Sequence, residues 1–456
     1  LKEGLADAHC LLGEFDQAIV CYEAVSGYIT TKAEKASVFE KQAIVVFEKG
    51  DLPKAVEYCE QGLEILNLRL PKSNLGSIFF VIFHVLIQVG HTFFPFLLAR
   101  QKLKNDPVAI AKMKLLMRAT YPLWFINFIK CLAAHFLDMN IAEHIGDTKQ
   151  LSAIYSEHGG VAMCTIPLYK RAVKYQYKSL EIAKRINDPW SIAHSYSFLG
   201  IGHYYMSKLA EAIEPLLKAT AGFARVGDPW ESIIAYTHLG YIYRNRSDFD
   251  QALKYLQTAN NLARRVKDTR GTGQSLAGMC EVWAFKGELN KAEENIIKAV
   301  EYCRRVSDNL VLAMSLRDYA QILLQQGEHE KAVEKALESK KLIESNFFRS
   351  DYVVATYIVL ASALLKLAEK KGLDKKIKRR YLSQAWWPMQ WGYVLARSFK
   401  NYLGYAYRVK GTHACLSGRI KKGQKYFKES VKILEEQGNK YELGRTLAEM
   451  ARWIRE

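Results

Sequence analysis

One spacing constrains this chain above all others: a step of forty residues. Ala172, Ala212, Ala252, Ala292 and Ala332 follow one another at that interval. Asp188, Asp228, Asp268 and Asp308 keep the same step. So do Leu199-Gly200, Leu239-Gly240, Met279-Cys280 and Tyr319-Ala320, and the turn column Ser207, Ser247, Gly287 and Gly327. Four columns sharing one period mean stacked copies of one small unit. Each such unit leans only on its neighbours, so 456 residues fold as one array rather than as separate globular domains.

The unit reads as two helices. Asp228 suits an N-cap, Pro229 the first helical position, and Glu231 the reciprocal place in a capping box. Tyr236, Leu239, Gly240 and Tyr243 then share a helical face. Asn245-Arg246-Ser247-Asp248 breaks that helix. A second helix carries Phe249, Ala252, Leu253, Leu256, Ala259 and Leu262 on one side. The small residues at Gly200, Gly240, Cys280 and Ala320 predict close approach of the paired helices.

Large residue, Leu-Gly, aromatic, turn residue, then alanine: this order resembles the tetratricopeptide repeat. The resemblance implies an all-α fold, a right-handed α-solenoid of tetratricopeptide-like helix pairs. The family's unit is shorter, so the extra residues lengthen the second helix by more than a turn. Residues 1–67 hold two such repeats, marked by Ala6, Gly13, Phe15, Ala18 and Tyr22, then Ala43, Gly50, Leu52 and Ala55. Residues 68–150 form an irregular apolar segment within the solenoid, and 151–345 the regular repeats, beginning with Gly160 and Ala172. Residues 346–456 form degenerate repeats with a basic inserted loop. They end in a capping helix that shows Leu443, Leu447, Met450 and Ile454 on one face. At a period near forty this predicts nine to eleven helix pairs. The first unit lacks the opening of its first helix, so a longer protein is expected, with chain before residue 1.

A solenoid of helix pairs presents its first helices on a concave face. The inward positions are His194, Ser197, Ile201, Tyr204 and Tyr205 in one unit, and Thr237, Tyr241, Arg244 and Asn245 in the next. Gln274, Glu281 and Phe285 follow, then Arg317 and Gln321. Aromatic, amide and a few charged groups suit a peptide, a helix or a small polar ligand. Co-chaperones of the resembled family clamp a terminal carboxylate with Lys and Asn. The matching places here read Ser197/Ile201, Thr237/Tyr241, Ala277/Glu281 and Arg317/Gln321, a departure from that clamp.

Two stretches break the pattern. Residues 73–99 hold no charged side chain, and Ile78–Leu98 is long enough for a bilayer. His84, Gln88, Gly90, His91 and Pro95 suit a lipid-facing span poorly. This stretch and Tyr121–Leu137 therefore read as buried helices, with a membrane hairpin as the rival. Eight of the fifteen residues of 366–380 are basic, and Trp386, Trp387 and Trp391 follow. The pairing would serve phosphate contact and base stacking. A solvated loop with core tryptophans is the plainer expectation. The net charge of +18 alone decides little between them. Eight unpatterned cysteines fit a reducing, cytoplasmic setting and no zinc ribbon. No nucleotide loop, metal-binding pair or nucleophile elbow occurs, so neither metal, cofactor nor catalytic residue is expected.

A second resemblance rests on Leu70-Pro71-Lys72-Ser73, Ile141 to Asp147, the Asp-Pro-Trp joints at 188–190 and 228–230, and Leu434 to Leu447. These resemble the carboxy-terminal helical-repeat arm of large signalling ATPases, of the maltose-activator kind or linked to kinase or adenylyl cyclase domains. That implies a non-catalytic sensor scaffold. It would bind a protein segment or small inducer in the groove and relay this to an attached signalling domain. The rivals are membrane association through 73–137 and nucleic-acid binding through the basic carboxy-terminal part.

Overall fold

The computed structural model describes residues 2–94, 103, 106–146, 148–164, 168–306 and 308–454. Among them are helices and turns and no strand. Two pairs open the chain: α1 (Lys2–Leu11) with α2 (Phe15–Ser26), and α3 (Lys32–Lys49) with α4 (Leu52–Ile65). The solitary α5 (Asn74–Phe93) precedes the pair α6 (Pro107–Ile126) and α7 (Phe128–Ile145), then α8 (Lys149–Cys164) and α9 (Tyr169–Arg185). The regular units follow as α10 (Pro189–Tyr205) and α11 (Leu209–Val226), α12 (Pro229–Asn245) and α13 (Phe249–Arg265). Next come α14 (Thr269–Phe285) with α15 (Leu289–Arg305), and α16 (Asn309–Gln326) with α17 (His329–Ser345). The last are α18 (Asp351–Ala368) with α19 (Lys375–Ser398), α20 (Leu403–Leu416) with α21 (Ile420–Gln437), and α22 (Lys440–Ile454). Setting aside α5 and the terminal α22, the described helices make ten pairs. Consecutive pairs stack side by side in an all-α solenoid.

The repeated columns have local causes. Each joint aspartate caps its first helix: Asp188 accepts from the Ser191 amide at 2.8 Å and Asp228 from Glu231 at 3.0 Å. Asp268 accepts from Gly271 at 2.9 Å and Asp308 from Val311 at 2.8 Å. The turn column is left-handed, with φ of 59° at Ser207, 61° at Ser247, 85° at Gly287 and 87° at Gly327. Gly240 permits contact between α12 and α13, since a Cβ there would lie 2.4 Å from Leu256 Cγ. In the pair α8/α9 the close approach falls on Gly159, whose Cβ would meet Gln176 Cγ at 2.5 Å. The expected column residue was Gly160. One extra residue between helix and alanine column shifts the register, and Gly160 turns toward Phe198 instead.

Four further expectations need correction. The helix α5 is not buried. Ser77, His84 and Gln88 face the protein, while Leu75, Phe79, Ile82, Phe83, Leu86 and Phe93 are exposed. Polar groups of α7 draw the polar side inward. Residues 95–99 of that run and Asp147 lie outside the described residues. In contrast the Tyr121–Leu137 stretch, broken at Asn127, does bury Leu123, Phe128, Cys131 and Leu137. In the basic run 366–380, residues 369–374 form the largely exposed turn between α18 and α19, and the remaining nine residues are helical. Its tryptophans are not core: Trp387 is 71% exposed, and Trp386 and Trp391 lie on the same outer side of α19. Ala385 and Met389 make the inward contacts there. The packed face of α22 is rotated from the leucine stripe. Thr446 and Glu442 are buried and Leu447 is exposed, because Glu442 pairs with Arg408 and Arg445. The Ile454 side chain lies outside the described residues. Finally, Glu231 does not close a capping box, since its carboxyl meets Tyr121 instead.

The first helices of the central pairs are buried almost all round, because the superhelix closes on itself. At their amino-terminal ends, Phe47 of α3 packs on Trp230 with ring centres 4.6 Å apart. At their carboxy-terminal ends, Ser207 bonds Asn401 at 2.6 Å, and the Tyr441 amide donates to Ser247 at 2.8 Å. Between them α6 crosses the concave face. What remains of the groove is a set of inner cavities.

Candidate functional site

A cavity of about 830 Å³ opens where the first repeats meet the joints of the central ones. Its walls come from α1–α3, α6, the start of α8 and the loops at Asp228 and Asp268. Five acidic side chains, Glu40, Glu48, Asp228, Glu231 and Asp268, line it with five basic ones, Lys114, Arg118, Lys149, Arg265 and Lys267. Phe15, Phe47, Tyr121, Trp190 and Trp230 supply aromatic surface. Charges of both signs on an aromatic frame are the lining expected for a zwitterionic or peptidic ligand.

The electrostatics are set by burial. Tyr121 Oη lies 3.2 Å from Glu157 Oε1 and 3.3 Å from Glu231 Oε1. Burial pushes both carboxyls up to about 8, with Asp228 and Glu157 adding to the effect at Glu231. The pair is thus held largely neutral at pH 7 around a phenol. His194 lies 3.9 Å from Glu157 and is stacked on Trp190 at 4.6 Å. Burial drives its imidazole down to about 3, so it stays uncharged. Glu48 rises through burial, and its neighbour Cys10, 3.4 Å away, is pushed up to about 12 by burial and by Glu48.

Several buried donors here make no hydrogen bond among the described residues. At this cavity they are Trp230 Nε1 and Arg118 Nε, the latter 3.7 Å from Glu40 Oε1, alongside the acceptor Asp268 Oδ2; at the neighbouring one they are Arg270 Nε and Nη2. Arg270 is held between Phe125 and Trp230, 4.6 and 4.4 Å from the ring centres. Buried polar groups without partners are uncommon, and at a cavity they are poised for a ligand. A second, smaller cavity of about 160 Å³ adjoins at Trp230 and runs past His238, Tyr205 and Tyr352. A third of about 50 Å³ lies at the carboxy-terminal ends of α12 and α14, against α16, α18 and α20.

Residues 233–265 match the model of the tetratricopeptide repeat. That stretch spans most of α12 and all of α13, and the fold of the chain is a tetratricopeptide-like solenoid. Among solved structures it is similar to a Rap protein complexed with Competence and Sporulation Factor. Identity is 11%, coverage 76% of this chain and 98% of that one, and the TM-score 0.52. It is also similar to a signal transduction ATPase with numerous domains and a tetratricopeptide repeat sensor, from Pyrococcus horikoshii. There the identity is 18%, the TM-score 0.43, and coverage 82% of this chain. This chain spans 55% of the length of that ATPase. Yeast Tom70 is similar over 99% of this chain and 95% of its own, at 14% identity and a TM-score of 0.41. No curated protein is similar in sequence.

On this tetratricopeptide-like frame the fourteen groove positions fall into three groups. Arg244, Asn245, Glu281, Phe285, Arg317 and Gln321 come together around the third cavity. Arg244 pairs with Glu281, and Arg317 with Asp318 at 2.6 Å. Gln321 accepts from Tyr405 at 3.2 Å, and Phe285 stacks on Tyr441 at 4.3 Å. Tyr205 and Gln274 line the second cavity, with Tyr205 donating to Tyr352 at 2.9 Å. Ile201 lines it as well. The rest lie within the wall. His194, Ser197, Tyr204 and Thr237 are buried, and Tyr241 sits under the Arg244 guanidinium at 4.9 Å.

Sequence reasoning missed Arg118, Tyr121, Glu157 and Arg270, and took Glu231 only as a cap. Arg118 and Tyr121 belong to the irregular pair α6/α7, which shares no repeat column. The tryptophans of the two Asp-Pro-Trp joints were the available signal. Trp190 donates to Asp228 at 2.8 Å, so the first of these joints braces the second. Among the described residues no cluster of three or more His, Cys, Asp or Glu is arranged to hold a metal ion.

Proposed function

We propose that this chain is a non-catalytic regulatory scaffold that binds a peptide segment or small inducer in its inner cavity and relays binding to an attached signalling domain. The observation that carries the reading is the 830 Å³ cavity lined by two buried donors that make no hydrogen bond among the described residues, Arg118 Nε and Trp230 Nε1. Mixed charge on aromatic walls favours a ligand bearing both an amine and a carboxylate, hence a short peptide. The Rap complex supports the reading only as a precedent on the same fold.

The relay follows from the cavity's position. It is walled on one side by the first repeats and on the other by central joints. A ligand there bridges units far apart in the chain and favours one superhelical curvature over another. A short-peptide library, screened by fluorescence polarisation against the whole chain, tests this. Hits are expected to weaken about tenfold or more with Arg118→Ala or Trp230→Phe, the loss of one buried hydrogen bond to a charged or polar group. Binding that survives both substitutions, with folding intact, removes the cavity from the proposal.

A further inference from the structure

The helix α5 is turned inside out for a protein surrounded by water. Its polar side chains point inward. His84 and Gln88 bond Asn140 at 2.9 and 2.6 Å, and Gln88 and His91 bond Glu143 at 2.8 and 2.7 Å. Its outward face is apolar from end to end. Leu75, Phe79, Ile82, Leu86, Val89 and Phe93 follow at steps of four and three and are between 43% and 73% exposed. Ile78 and Phe83 widen that stripe. Large apolar patches of this kind mark an interaction surface.

The chemistry of the surroundings narrows the partner. No charged residue occurs from 73 to 99. Basic groups bracket the face. Lys72 is exposed just before α5. At its other end Thr92 accepts a hydrogen bond from Arg171 of α9 at 2.8 Å. Beside Arg171, Lys170 and Lys174 are exposed. A second copy of this chain would bring like charges together, and a coiled-coil seam would have charged flanks where Ile78 and Phe83 stand. A surface that is apolar in depth and anionic at its rim satisfies both features. The polar face bonded to α7 argues for a helix lying along such a surface rather than crossing it.

We propose that α5 docks the protein on an anionic lipid bilayer, its apolar face in the acyl boundary and Lys72, Lys170 and Lys174 at the headgroups. The cavity reading does not depend on this. The test is co-sedimentation of the whole chain with phosphatidylcholine vesicles, with and without phosphatidylserine. Binding is expected about tenfold tighter with phosphatidylserine, and weaker at high salt, given about 1 kcal/mol per basic residue near the surface. The double substitution Phe79→Asp, Leu86→Asp changes only exposed positions and is expected to abolish binding with the helical circular dichroism unchanged. Lys170→Glu, Lys174→Glu is expected to remove the preference for phosphatidylserine while leaving α5 intact. Protein that stays in the supernatant with anionic vesicles at low salt overturns the proposal. So does binding indifferent to the α5 substitutions, or a dimer that those substitutions dissolve while vesicles are ignored.

Discussion

Gly240 shows how a single atom sets the pairing of two helices. An added methyl would sit 2.4 Å from Leu256 Cγ in a wall with no slack. Gly240→Ala is therefore expected to destabilise the fold by about 1–3 kcal/mol, the usual range for overpacking, as read by urea denaturation. Ser247 makes the opposite point. Its left-handed backbone would favour glycine, yet its hydroxyl receives the Tyr441 amide from α22. Ser247→Gly is expected to relax the turn and to loosen α22, detected as faster hydrogen exchange at 440–446. Both columns were visible in the sequence because they repeat. The hydroxyl's second task was not, since it joins residues 194 apart in the chain.

At the scale of elements, capping and face orientation decide what each helix does. The Asp228 side chain caps α12 and also accepts from Trp190, so it fixes two neighbouring units at once. Asp228→Ala is expected to cost about 1 kcal/mol for the cap alone and more if the Trp190 bond is counted, measured as a fall in the denaturation midpoint. The cap was legible because Asp-Pro at a joint has a local meaning. The orientation of α5, α19 and α22 was not. Their composition reports how apolar a helix is, while the direction of its apolar face depends on partners. Asn140 and Glu143 turn α5, and Arg408 turns α22. The same reasoning predicts that Trp387→Ser on the outer face of α19 leaves thermal stability unchanged within about 0.5 kcal/mol.

For the whole molecule, the cavity carboxyls link folding to pH. Glu157 and Glu231 titrate near 8 when folded, above their ordinary range near 4.5. A raised carboxyl favours the folded state below the unfolded value, and that contribution is lost as pH climbs to the folded one. Stability should thus fall between pH 4.5 and 8 and level off beyond. Glu157→Gln, which cannot ionise and keeps an acceptor for Tyr121, should flatten that slope in thermal melts across this range. The solenoid itself was readable from its period. Its closure was not, because curvature accumulates from small rotations that no single column encodes.

That closure has a consequence for how the chain comes apart. An open repeat array frays from its ends, each unit answering only to the next. Here α3 grips Trp230 at the start of α12, and α22 grips Ser247 in the turn that follows it. The two ends are clasped to the middle, so neither can peel away without loosening the centre. The molecule should melt as one cooperative body and refold slowly for a helical protein, since its clasps wait on contacts distant in sequence.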